Sequence, residues 1–227
     1  MNILVIAPHM NILVVAPHPD DEVLGCGGTI KKYSDRGDMV SVCYVTSAYL
    51  PDWSQEYLWR KEEEIQKSNS ILGISKRIDL KYPAVMLDPI PQKEINKSIS
   101  KVVSDVQPDC VFIPHRNDIN VDHRIVHDAA LVALRPPYTR CRQIFVYETL
   151  SETEWGTRRS VFDAAYYVDI SDTLDHKVLA MEAYKSEIKE SPHPRSSDII
   201  RCLARKRGSE INRYAAEAFV PLRIIED

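Results

Sequence analysis

The residues with the greatest chemical capacity are His18, Pro19, Asp20, Asp21 and Glu22, which place an imidazole and three carboxylates within five positions. Acidic residues are favoured in the first turn of a helix, where free N–H groups and the helix dipole stabilise negative charge. Capping accounts poorly for two adjacent aspartates behind a proline-fixed histidine. Like charges that close repel, and a nearby cation is the simplest remedy. A divalent metal bound by His18 and one aspartate would supply it, leaving the other aspartate free as a base. A second cluster runs from His115 through Asp118, Asn120 and Asp122 to His123, with His127 four residues further on. Catalytic zinc takes three protein ligands from His, Asp and Glu and leaves a position for water. Two ligands from the first cluster and one histidine from the second would complete such a set. His123 and His127 have the spacing of an HExxH motif, but the glutamate that motif needs is Arg124 here, so it fails. His127 is read as a structural histidine, and Asp122 either orients His123 or caps its helix.

Gly25, Gly27 and Gly28 suggest a dinucleotide fingerprint, which fails twice. Position 30, where GxGxxG requires glycine, is Ile30, and the second expected strand ends in Thr46-Ser47 rather than in an acid for a ribose. These glycines are read as allowing close helix–sheet packing beside the site.

The elements that must position these residues follow from periodicity. Residues 12–16, 40–46, 78–82, 110–114, 143–147 and 164–170 read as strands, and 23–34, 56–72, 93–106, 123–134 and 174–188 as helices. Residues 191–197 form a loop by their two prolines, and 199–218 read as a further helix packed on the domain. Strand–helix alternation predicts an α/β fold with a doubly wound, mostly parallel sheet and helices on both faces. Ligands bind such sheets beyond the carboxyl ends of the strands, and both polar clusters fall there. A single domain over 10–227 is expected. Residues 1–9 nearly duplicate 10–18, differing only at Ile6 against Val15. The second copy is the working one because only it runs into the acidic cluster, and the first is read as an extension.

Composition narrows the function further. The 227 residues are 44% apolar and 27% charged, and 29 Lys+Arg against 33 Asp+Glu give −4, values of a globular protein with no electrostatic case for nucleic acid or an anionic membrane. No run reaches the ~18 apolar residues of a membrane span. Cys26, Cys43, Cys110, Cys141 and Cys202 are odd in number and scattered, which argues against a disulfide framework and for a reduced, cytoplasmic setting.

On these residues the sequence resembles the PIG-L/LmbE family of zinc-dependent N-deacetylases. The shared pattern is a strand ending in His18-Pro19-Asp20-Asp21-Glu22, a glycine pair, and a downstream Asp122-His123 opening a helix. Arg60 and Glu64 in the helix that ends in Leu72-Gly73, the segment 147–155 and the tail 205–219 are also similar. The resemblance implies a Rossmann-like domain that binds Zn2+ through His18, Asp21 and His123, with Asp20 as general base. Its substrate would be a small-molecule N-acetyl amino sugar or conjugate. The family often forms homo-oligomers, and the loop 191–197 could reach a neighbour's site.

One position departs from the family pattern. Many members carry a histidine where this chain has Asn120, and asparagine can donate a hydrogen bond to an oxyanion but cannot transfer a proton. The proton for the leaving amine then falls to Asp20, His115 or His193. Arg60 and Asp88 are the candidates to hold sugar hydroxyls; otherwise Arg60 pairs with Glu64 and Asp88 is a turn residue. The competing readings are an amidase that releases a larger acyl group, a nucleotide-binding oxidoreductase, and a non-catalytic binding module. Asp20 argues against the last, since a binder needs no base beside its metal.

Overall fold

The computed structural model describes residues 9–137, 139–156 and 161–226. The duplicated copy thus lies, apart from His9, outside the described residues. The chain runs β1 (Asn11–Ala16), α1 (Asp21–Asp35), β2 (Met39–Ser47), α2 (Gln55–Leu72), β3 (Lys76–Pro83), α3 (Gln92–Val106), β4 (Cys110–Pro114), α4 (Val121–Ala133) and β5 (Gln143–Tyr147). It continues through β6 (Tyr166–Asp169), α5 (Leu174–Ala183), α6 (Ser197–Ser209) and β7 (Ala216–Ile224). The strands form one sheet in the order β3-β2-β1-β4-β5-β7-β6. β1 through β5 pair in parallel, and β7 runs antiparallel to both β5 and β6.

The central strands are apolar throughout because both of their faces are covered. Alternate residues of β1 divide between two cores: Ile12, Val14 and Ala16 pack with α1, α2 and α5, while Leu13 and Val15 pack with α3 and α4. β4 repeats the division, with Phe112 on the first side and Val111 and Ile113 on the second. This is a Rossmann-like, doubly wound α/β fold, as the sequence predicts. The sheet order reverses between β1 and β4, so the turns after Ala16 and Pro114 open side by side at their carboxyl ends.

Two expected helices are shorter than their periodicity suggests. The helix over 174–188 stops at Ala183, and Tyr184 leaves helical geometry with ψ 73°. The helix over 199–218 ends at Ser209, and its last residues belong instead to β7. A tight reversal separates the two elements, with Asn212 at φ 55° and the Arg213 N–H donating to the Gly208 carbonyl at 2.9 Å. The Ala-Glu-Ala run favours a helix locally, but its pairing with β6, continued by the pairing of Phe219–Ile224 with β5, outweighs that preference.

The glycines of α1 are packing devices. A Cβ on Gly25 would lie 2.3 Å from the Tyr147 ring, and one on Gly28 would lie 2.7 Å from the Ile170 side chain. Beside them Glu217 of β7 accepts the N–H groups of Gly28 and Thr29 at 2.9 and 2.7 Å and the Lys177 ammonium at 2.6 Å. Both charged side chains are buried. No helix among the described residues is long and apolar enough to cross a membrane.

Glu217→Ala would leave the buried Lys177 ammonium with the Leu24 carbonyl as its remaining partner and no carboxylate to balance its charge. Urea unfolding is expected to show a loss of about 3–5 kcal/mol, the usual cost of breaking a buried pair from one side.

Candidate active site

The turn after β1 carries His18 and Asp20, and Asp21 begins α1. One carboxylate oxygen of Asp21 accepts the His18 backbone N–H at 2.9 Å and lies 3.2 Å from His18 Nδ1. The same oxygen lies 3.2 Å from Nε2 of His123, in the first turn of α4. The three side chains each offer one donor atom, all within 4.8 Å of one another.

The outer nitrogens of both imidazoles are held as well. His18 Nε2 lies 3.1 Å from Asp122 and His123 Nδ1 lies 2.8 Å from Asp118. Asp122 is steadied by the N–H groups of Val85 and Leu87, and Asp118 by the Thr153 hydroxyl at 2.7 Å. An imidazole that donates outward to a carboxylate turns its other nitrogen inward as a lone-pair donor.

Two imidazoles and one carboxylate with oriented outer partners fit the ligand set of a catalytic metal site. Their acidities agree. Burial would lower the pKa of His18, but Asp122 and then Asp21 outweigh it and hold it at about 9. Burial likewise opposes the charge on His123, while Asp21 and Asp118 raise it to about 10. Burial pushes the Asp21 carboxyl up, and His123 and His18 bring it far below the ordinary range. The cluster therefore collects positive charge, which a divalent ion would supply in place of protons.

Asp20 takes a backbone conformation with φ 131°, where residues other than glycine are rare. Such a conformation costs about 1–3 kcal/mol and persists where its surroundings enforce it. Its carboxylate accepts Arg195 Nη1 at 3.1 Å. Burial pushes its pKa up to about 7, opposed by Arg195 and assisted by Asp21. Beside it a pocket of about 180 Å3 is lined by His18, Asp20, Asn120, Lys61, Glu187 and Arg195, with Trp53 and Tyr57 as aromatic walls. Asn120 caps α4 by accepting the Asp122 N–H on its side-chain oxygen at 3.0 Å, which leaves its NH2 group as a donor.

The second wall differs from the sequence expectation. Arg60 is exposed and lies outside the pocket, and it does not pair with Glu64, which is buried and accepts the Ser186 N–H and hydroxyl. The inward cation is Lys61, one residue and about 100° further round the helix. Lys61 holds Glu187 at 2.8 Å; against burial, it draws that carboxyl down to about 2. Asp88 is exposed and outside the pocket, although its neighbours Val85 and Leu87 supply the N–H groups that hold Asp122. His193 is also exposed; its ring accepts the Arg195 N–H, and Arg195 is the loop residue that enters the pocket. Arg195 bonds Asp20, Glu187, Glu152 and Ser151 at once. His115 is buried behind Asp118 with its ring edge on Phe162, and His127 is tied to the Pro114 carbonyl.

Lys61 shares a face of α2 with Tyr57 at i,i+4 spacing, a relation legible in the sequence, and Trp53 lies just ahead of the helix. Arg195 carries no comparable signal, because its partners lie up to 175 residues away.

The chain belongs to the PIG-L family, described as GlcNAc-PI de-N-acetylases, which matches residues 13–134. A diacetylchitobiose deacetylase of Thermococcus kodakarensis is 28% identical over 233 residues, covering 96% of this chain and 83% of its own. The N,N'-diacetylchitobiose deacetylase of Pyrococcus horikoshii superposes with a TM-score of 0.76 at 26% identity, over 93% of this chain and 83% of its own. A conserved protein of Thermus thermophilus superposes with a TM-score of 0.77 at 27% identity, over 96% and 97% of the two chains.

The carboxylates around His18 and His123 favour the protonated form of both imidazoles, whereas a metal ligand must be neutral. Metal uptake should therefore release on the order of two protons per ion and weaken as the pH falls. Titration calorimetry in buffers of different ionisation enthalpy reads the proton count. A His18→Ala/His123→Ala variant should lose the ion by elemental analysis.

Proposed function

We propose that this protein is a zinc-dependent hydrolase that removes the acetyl group from an N-acetylated amino sugar or sugar conjugate. The observation that carries the reading is the convergence of His18, Asp21 and His123 on one point, with the Asp20 carboxylate beside it in a pocket. The deacetylases of diacetylchitobiose among its relatives support the substrate class.

His18, Asp21 and His123 would hold the ion. When bound, it lowers the pKa of water from about 15.7 towards 7 and polarises the acyl carbonyl. Asp20 takes the proton of the attacking water, and Arg195 holds its carboxylate in place. The Asn120 NH2 group donates to the oxygen that gathers charge as the carbonyl is attacked. Neither His115 nor His193 lines the pocket, so Asp20 also returns the proton to the departing amine. Lys61, Glu187 and Arg195 supply hydrogen bonds for sugar hydroxyls, in place of the expected Arg60, Asp88 and His193. Trp53 and Tyr57 offer faces to the apolar side of a pyranose.

A second reading, release of a larger acyl group, is favoured by Val85, an apolar pocket residue that is 64% exposed. Comparing N-acetyl with N-hexanoyl glucosamine separates the two by kcat/KM.

Acetate release from N-acetylglucosamine and N,N'-diacetylchitobiose tests the proposal. Asp20→Asn should retain its metal and lose about 10²–10⁴ in kcat, the usual share of an acid–base group. Asn120→Ala should lose about 10²–10³, as expected for one oxyanion donor. Wild-type turnover in Asp20→Asn would overturn the reading.

A further inference from the structure

Glu22 is the acid of the 18–22 cluster with no task in the metal site or the reaction, yet it is fully buried. One of its carboxylate oxygens accepts the backbone N–H of Asp20 at 2.9 Å. The other accepts the hydroxyl of Tyr184 at 2.7 Å. Tyr184 leaves the end of α5 to reach it, and its hydroxyl lies 3.5 Å from that of Tyr44, which donates to Asn69 at 2.8 Å. Tyr44 stands on β2 and Asn69 on α2, and both tyrosines are buried. Three elements thus back one carboxylate through a chain of hydrogen bonds, and that carboxylate holds the N–H of the residue with φ 131°.

The peptide between Pro19 and Asp20 sets the direction in which the Asp20 side chain leaves the backbone. We infer that Glu22 is a positioning residue: anchored by Tyr184, it fixes the Asp20 backbone so that the Asp20 carboxylate faces the pocket. This rests on the reading of Asp20 as the general base. The alternative role is purely structural, in which Glu22 only secures the start of α1.

The two roles separate in a double-mutant cycle. Glu22→Gln keeps the size of the side chain but turns one acceptor into a donor, so it cannot accept both bonds. Tyr184→Phe removes the anchor and leaves the cluster intact, and it carries the test if Glu22→Gln does not fold. Each is measured alone and combined with Asp20→Asn, for acetate release and zinc content. Expected are a loss of about 10–100-fold in kcat for Glu22→Gln, the scale of a misplaced catalytic group, with KM and zinc content unchanged. Tyr184→Phe should shift kcat in the same direction. Either change should cost less than about twofold once Asp20 is Asn, because the group it positions is already gone. Equal losses in both backgrounds, or wild-type kcat in both single variants, would overturn the inference. Full activity in Asp20→Asn alone would instead remove the reading of Asp20 on which it rests.

Discussion

The meeting of two imidazoles on one carboxylate oxygen of Asp21 is the constraint that the surrounding structure obeys. Asp20, Asp21, Asp118 and Asp122 are each at most 3% exposed, and all lie within this small region. A buried carboxylate is costly unless it is paired and hydrogen-bonded. His18 and His123 answer Asp21, while Asp118 and Asp122 hold their outer nitrogens. Arg195 answers Asp20. An ion at the centre would complete the balance of charge, and the polar groups around it already have partners suited to that state.

The doubly wound sheet makes the meeting geometrically simple. β1 and β4 are parallel neighbours, so their carboxyl ends stop at the same edge. α1 lies in one core and α4 in the other, so the two helices begin on opposite faces of the sheet. His18 therefore approaches from the turn into α1 and His123 from the first turn of α4. A hundred residues of sequence separation become a ring-to-ring distance of 5.4 Å.

The last third of the chain supports this site from outside the sheet edge. Arg195 reaches Asp20 across 175 positions, Tyr184 reaches Glu22 across 162, and Glu217 reaches Gly28 across 189. The positive φ of Asp20 needs such support, because local sequence gives no reason for a non-glycine residue to adopt it. The loop 191–197 thus forms part of the candidate site through Arg195, and β7 braces α1 behind it through Glu217.

Much of this was legible in the residues alone. Strand–helix alternation identified the fold class, and two polar clusters at strand ends pointed to the candidate site, because side-chain period and short-range repulsion act between near neighbours. Local patterns could not say which of several neighbouring polar residues faces inward. They pointed to Arg60 and His193 where Lys61 and Arg195 line the pocket, and they extended a helix through residues that pair as β7. Those choices depend on helix rotation, on sheet partners and on contacts more than a hundred residues apart. The sequence by itself determined the chemistry available and the edge of the sheet where it gathers. Only the tertiary structure decided which side chains meet, because burial and pairing of charge are settled by the whole packed chain.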